Sequence, residues 1–224
     1  MIKLYLDVSH GGKDSGATGY GLKEKDLTLK IGNKISEMLK EYNGITVKQN
    51  RINDKYLSLK QRTDEANSWG ADLFLSIHIN AGGGTGFESF IYNGSVGSNT
   101  VKYRGVIHDE IMKTLKGVRD RGKKKANYHV LRESKMSALL TENMFIDTKK
   151  DNDQLRSNLF IDLVSLGHVN GIVKIFNLKK KKKVSSGSSG LYKVQTGSFR
   201  KKENAEALAK KLKKDGYDTF ITKE

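Results

Sequence analysis

Residues 71–84 read ADLFLSIHINAGGG. Leu73, Phe74, Leu75, Ile77 and Ile79 form an apolar run broken only by Ser76 and His78, and three glycines close it. A strand with one wet face alternates apolar and polar residues. A run this continuous marks a strand covered on both faces, as in a parallel sheet flanked by helices. The surrounding chain agrees. Ile2, Leu4, Leu6 and Val8 alternate with Lys3, Tyr5, Asp7 and Ser9, a period of two. Leu27, Ile31, Ile35, Met38, Leu39 and Tyr42 follow at helical spacing, and residues 45–49 (ITVKQ) read as a strand. Ser58 and Gln61 make a capping box ahead of a helix that ends near Trp69-Gly70. GFESFIY (86–92), YHVLRE (128–133) and ALLTEN (138–143) read as strands, and residues 101–116 as a helix. One long helix, carrying Leu155 through Phe176, closes the region. The prediction is an α/β fold: a mostly parallel twisted sheet with helices on both faces.

The chain has 224 residues, a net charge of +16 and no cysteine, which excludes disulfide scaffolds, thiolate metal sites and cysteine nucleophiles. No apolar run approaches the ~18 residues a membrane span needs. The start, MIKLYLDVSH, places Asp7 too early for a secretory signal, so the expectation is synthesis in the cytoplasm without a signal peptide. The positive charge calls for an anionic partner: nucleic acid, anionic lipid or phosphate-rich wall polymers all qualify. Residues 179–190, KKKKKVSSGSSG, repel one another or lack the means to build a core, and read as a solvated linker. They separate a large domain, 1–178, from a tail, 191–224. The tail reads strand (LYKVQ), helix (Asn204 to about Lys214, capped by Gly216) and strand (YDTFIT), a small α+β (βαβ) unit.

Open α/β sheets place their ligand sites at the carboxyl ends of the strands. The polar residues there are His10 after the first strand, His78 and Asn80 after the buried strand, and Glu142 at the end of ALLTEN; Glu24 opens the first helix. Two histidines and a carboxylate can bind zinc with a fourth position left to water, and a further carboxylate can act as base. Ordinary explanations exist beside this one. His10 could cap a glycine turn, and a glutamate at a helix start suits the helix dipole in any case. His108, His129 and His168 lie within predicted elements and read as structural. No HExxH and no GxSxG occurs, and no basic patch with interleaved aromatics marks a nucleic-acid surface.

DxxHGG, GLKEKDLTL, SIHINAGGG with GFESF, and LLTENMFID, in that order, resemble the motifs of the zinc-dependent N-acetylmuramoyl-L-alanine amidases of the amidase-3 family over most of residues 1–176. The resemblance implies one zinc ion per catalytic domain held by His10, Glu24 and His78, Glu142 as the catalytic carboxylate, and peptidoglycan as substrate; Asn80, on the strand face of His78, would orient a ligand or the substrate amide. Relatives commonly carry Pro-Gly before the first histidine, where this chain has Val8-Ser9. The tail resembles half of a SPOR-type peptidoglycan-binding module, and two tails from different chains could supply both halves, making a homodimer. These implications describe a phage endolysin or a mother-cell autolysin that reaches the wall after membrane breach, with anionic wall polymers and no stable nucleic acid as partners. A zinc peptidase or deacetylase would use the same metal set.

Overall fold

The computed structural model describes residues 1–181, 196–217 and 219–221. The chain divides into two compact units, Met1–Lys182 and Lys183–Glu224. In the large unit β1 (Ile2–Val8) is followed by a small hairpin, β2 (Thr18–Gly19) and β3 (Leu22–Lys23), then α1 (Glu24–Leu39), β4 (Ile45–Gln49), α2 (Leu59–Trp69) and β5 (Leu73–Asn80). There follow β6 (Phe87–Tyr92), α3 (Ser98–Thr114), β7 (Asp120–Ala126), α4 (His129–Arg132), β8 (Ser137–Phe145), α5 (Lys149–Leu155) and α6 (Asn158–Ile175). The six-stranded sheet runs β4-β1-β5-β8-β6-β7. β4, β1, β5 and β8 are parallel, β6 turns antiparallel to β8, and β7 follows β6.

Strand alternation divides the interior into two layers. Leu73, Leu75, Ile77 and Ile79 of β5 face α1, α3 and α6 in the larger core, which includes Leu27, Ile31, Ile107, Ile111, Val164 and Ile172. Phe74, on the opposite face, packs with Tyr5, Ala66, Phe90, Val130, Leu131 and Leu140. Among the described residues the second face is covered by α2 and the single turn α4. The Ser58–Gln61 capping box forms with both of its hydrogen bonds, and Gly70 closes α2 in the left-handed region at φ 66°.

Three expectations for the large unit need correction. YHVLRE does not form a strand: Val130 and Leu131 are both buried, and one helical turn can bury adjacent residues on one side where a strand cannot. The strand lies just before it, in DRGKKKA, whose charged side chains suit an edge that must not pair further. The closing helix is two helices, because the chain breaks at Arg156-Ser157 and Ser157 Oγ accepts the Phe160 N–H to cap α6. Lys180 and Lys181, assigned by composition to the linker, are tied to the large unit. Lys180 Nζ pairs with Glu41 at 3.0 Å, and the Lys181 N–H donates to the Glu41 carbonyl at 2.7 Å.

The small unit contains α7 (Lys202–Lys214), with Gly216 at φ 87° and the Tyr217 N–H donating to the Leu212 carbonyl. That is the helix and glycine stop read from the sequence. LYKVQ lies outside the described residues, and Tyr217 and residues 219–221 adopt no strand.

His168 on α6 is fully buried; its Nδ1–H donates to the Val164 carbonyl at 2.8 Å, and Nε2 lies 3.0 Å from the Thr141 hydroxyl. Burial pushes its pKa down from 6.5 to about 4. A neutral buried histidine contributes stability that is complete above pH 6.5 and is lost as the pH falls toward 4, because the unfolded chain takes up the proton first. The loss amounts to roughly 3 kcal/mol across that window. Unfolding in urea at pH 7 and pH 4.5 checks this: His168→Gln should flatten the acid loss of stability, and an identical pH slope in both proteins would assign it elsewhere.

Candidate metal centre

β1 ends at Val8, still paired with Ile77 of β5, and side chains fix the turn that follows. Asp7, wholly buried, accepts from Asn50 Nδ2 at 2.8 Å and from the Ser76 hydroxyl at 2.7 Å. Asn50 in turn accepts the Val8 N–H at 2.8 Å. The buried Arg51 guanidinium donates to the carbonyls of Val8 (3.0 Å), Ser9 (2.9 Å) and Lys25 (2.7 Å). It thereby ties the turn before His10 to the start of α1, where Glu24 sits. The Val8-Ser9 turn is thus held by side chains, and His10 itself takes φ 60°, a left-handed conformation uncommon for a histidine.

His10, Glu24 and His78 converge: their ligating atoms all lie within 4.8 Å of one another. His10 Nε2 is 3.2 Å from Glu24 Oε2, and His78 Nδ1 is 3.0 Å from Glu24 Oε1. The two rings meet edge to face, with centroids 5.2 Å apart. Atoms about 2.0–2.2 Å from a tetrahedral zinc lie roughly 3.3–3.6 Å from one another. The nitrogen and oxygen donors suit such an ion, and the two histidine–glutamate separations lie just short of that range.

The surroundings orient each donor. His10 Nδ1 bonds Asp14 Oδ2 at 2.9 Å, which fixes the tautomer that leaves Nε2 unprotonated. Each Glu24 oxygen accepts one backbone N–H, from Ala17 (2.8 Å) and from Ile79 (3.0 Å). Burial pushes the Glu24 carboxyl up, but hydrogen bonds and charge from His10 and His78 hold it far below the usual carboxylate range. Gly16, at φ 62°, passes directly over the pair: a Cβ there would come within 2.6 Å of Glu24 Oε2 and 2.7 Å of the His10 ring. Asp14→Ala should weaken metal affinity about 10- to 100-fold. Zinc-competition titration reads this, and wild-type affinity in the variant would remove Asp14 from the site.

Glu142 pairs across the sheet with His78 on one side and Glu88 on the other. A bulge follows immediately in β8, with Met144 at φ 74°. Asn143 Nδ2 anchors the bulge by donating to the His78 carbonyl at 3.0 Å. Glu142 Oε2 is buried with no hydrogen-bond partner among the described residues. Burial above all, then the charges of Glu24 and Glu88, pushes its carboxyl well above the ordinary value. A carboxyl in that condition readily accepts a proton and is poorly satisfied by the protein alone.

Asn80 shares the His78 face but stands apart from the three donors. Its Nδ2 donates to Glu88 Oε1 at 2.8 Å, and its Oδ1 accepts the Ala81 N–H at 2.8 Å. His108, His129 and His168 take no part in the cluster. Asp14, Arg51, Glu88 and Tyr128 were not singled out by the sequence. Tyr128, 40% exposed, packs edge-to-face on Phe90, and burial first, then the charges of Glu142 and Glu88, push its hydroxyl pKa up. Asp14 did leave a trace, four residues after His10 in a glycine turn. Arg51 left none.

An open α/β sheet with two histidines and a carboxylate converging at its strand ends carries the donor set of a mononuclear metallohydrolase. The chain belongs to the Amidase_3 family, N-acetylmuramoyl-L-alanine amidase, whose profile matches residues 4–174, and residues 188–224 match the SPOR domain. It is 51% identical over 222 residues to the sporulation-specific N-acetylmuramoyl-L-alanine amidase of Bacillus subtilis, covering 99% of this chain and 84% of that one. It is 45% identical to the endolysin of Bacillus phage SPP1, covering 87% and 76% of the two chains. The solved catalytic domain of CwlV, an N-acetylmuramoyl-L-alanine amidase from Bacillus (Paenibacillus) polymyxa var. colistinus, superposes with a TM-score of 0.75 at 32% identity, over 80% of this chain and 100% of that one.

Proposed function

We propose that this amidase holds one zinc ion on His10, Glu24 and His78 and opens the amide between the lactyl group of N-acetylmuramic acid and L-alanine in peptidoglycan, with Glu142 as base and then acid. The observation that carries the reading is the pairing of His78 with Glu142 across β5 and β8. It sets a buried, unsatisfied carboxyl oxygen beside three converging metal donors. When bound, the ion supplies Lewis acidity toward the scissile carbonyl and toward the attacking water. Glu142 takes the proton that the water loses and hands it to the departing alanine amine, so one carboxyl serves both halves of the reaction. Asn80 acts through Glu88, holding that carboxylate in place beside Glu142.

The SPOR domain retains the enzyme on the wall, and the cationic surface adds attraction to anionic wall polymers. Among the described residues no helix is long and apolar enough to cross a membrane. Digestion of purified peptidoglycan followed by mass spectrometry tests the bond assignment. Free N-terminal L-alanine on intact stems supports it; cleavage within the stem or loss of acetyl groups would favour a peptidase or a deacetylase.

A further inference from the structure

The row of side chains that begins at the metal donors does not end at Glu142. His78 on β5 pairs with Glu142 on β8, and Glu142 pairs with Glu88 on β6, so all three project from one face of the sheet. β7 continues the row. Arg121 Nε donates to Glu88 Oε2 at 2.7 Å, and Lys124 Nζ reaches the same oxygen. One buried carboxylate thus holds two cations at the sheet edge and leaves one positive charge over. The Arg121 guanidinium also lies 4.7 Å from the centre of the Phe145 ring. Phe145 is the cross-strand partner of Asn80, just beyond the bulge. Stacked on the ring and anchored through Nε alone, Arg121 keeps both Nη groups without a protein partner among the described residues. A planar guanidinium fixed this way presents two parallel donors, the complement of a carboxylate.

We infer that Arg121 and Lys124 form a subsite for a carboxylate of the substrate's peptide, on the leaving-amine side of the scissile bond. The inference rests on the amidase reading above. The direction follows from the chemistry. The acyl side of the bond is an uncharged N-acetylated sugar, whereas the amine side is a peptide, which carries at least one carboxylate. Glu142, which protonates the departing amine, marks the amine side, and the row leads from Glu142 through Glu88 to the free guanidinium. Glu88 is a positioning residue here: it neutralises one of the two cations and fixes the fork.

The test compares two muramoyl tripeptides, one with free carboxyl groups and one with every carboxyl converted to carboxamide. Release of the alanine amine is followed with the zinc-loaded full-length protein. Wild type should prefer the free-acid substrate in kcat/KM by about tenfold, the size of one charge-assisted interaction. The Arg121→Gln/Lys124→Gln variant should bring that ratio close to one, while Arg121→Lys should retain part of it. Equal use of the two substrates by wild type, or an undiminished preference in the double variant, would overturn the subsite. Failure of wild type to release the alanine amine from either substrate would instead overturn the amidase reading, and the subsite with it.

Discussion

Glu142→Gln lowers the turnover of peptidoglycan by about a hundred- to ten-thousandfold, the range expected when a general acid–base group is lost, and leaves zinc content unchanged. The two halves of that result have separate causes. Glutamine keeps the shape of the side chain and its place between His78 and Glu88, so the donors His10, Glu24 and His78 are undisturbed. What it lacks is a group that can carry a proton from water to amine. Stability should not fall, because the substitution removes a buried carboxyl oxygen that has no hydrogen-bond partner among the described residues. Dye-release from labelled cell walls, metal analysis and thermal melting read the three quantities. Normal turnover in this variant would refute the role.

Removing a donor should act differently. Glu24→Ala is expected to abolish both zinc binding and activity, since it deletes a carboxylate that pairs with both histidines. The same change leaves the Ala17 and Ile79 N–H groups, which Glu24 now accepts, without that partner. The thermal signature separates the lost metal from the lost hydrogen bonds. A ligand present at a thousandfold its dissociation constant stabilises the folded state by about 4 kcal/mol. A chelator should therefore lower the melting temperature of wild type, while Glu24→Ala should melt low with or without it. A chelator response in the variant equal to that of wild type would show that the metal is held elsewhere.

The parts legible in the sequence were those whose chemistry shows in local pattern. LFLSIHIN reads as a buried parallel strand because both its faces are covered, and it occupies the middle of the sheet. Position at strand ends is what marks His10, His78 and Glu142 in the sequence, although a glycine turn or an ordinary core histidine explains such positions as well; the convergence of His10 and His78 on Glu24 shows only in three dimensions. β7 was hidden because an edge strand answers to its neighbour: DRGKKKA has one apolar residue, and its extended form comes from pairing with β6. The break between α5 and α6 was hidden because Leu155 and Leu159 keep a helical spacing across it. Arg51 reaches carbonyls 26 to 43 residues away in the chain and Glu88 holds cations 33 and 36 residues away, separations no local pattern encodes. The same holds for the subsite on β7, where a lysine and an arginine that look like ordinary solvated surface are drawn to one buried carboxylate.

X-ray data collected on either side of the zinc absorption edge, from crystals of the fully active protein, test the central claim most directly. One anomalous peak is predicted, about 2.0–2.2 Å from His10 Nε2, a Glu24 carboxylate oxygen and His78 Nδ1. A peak bound by other side chains, or active crystals with no metal among these three, would contradict it.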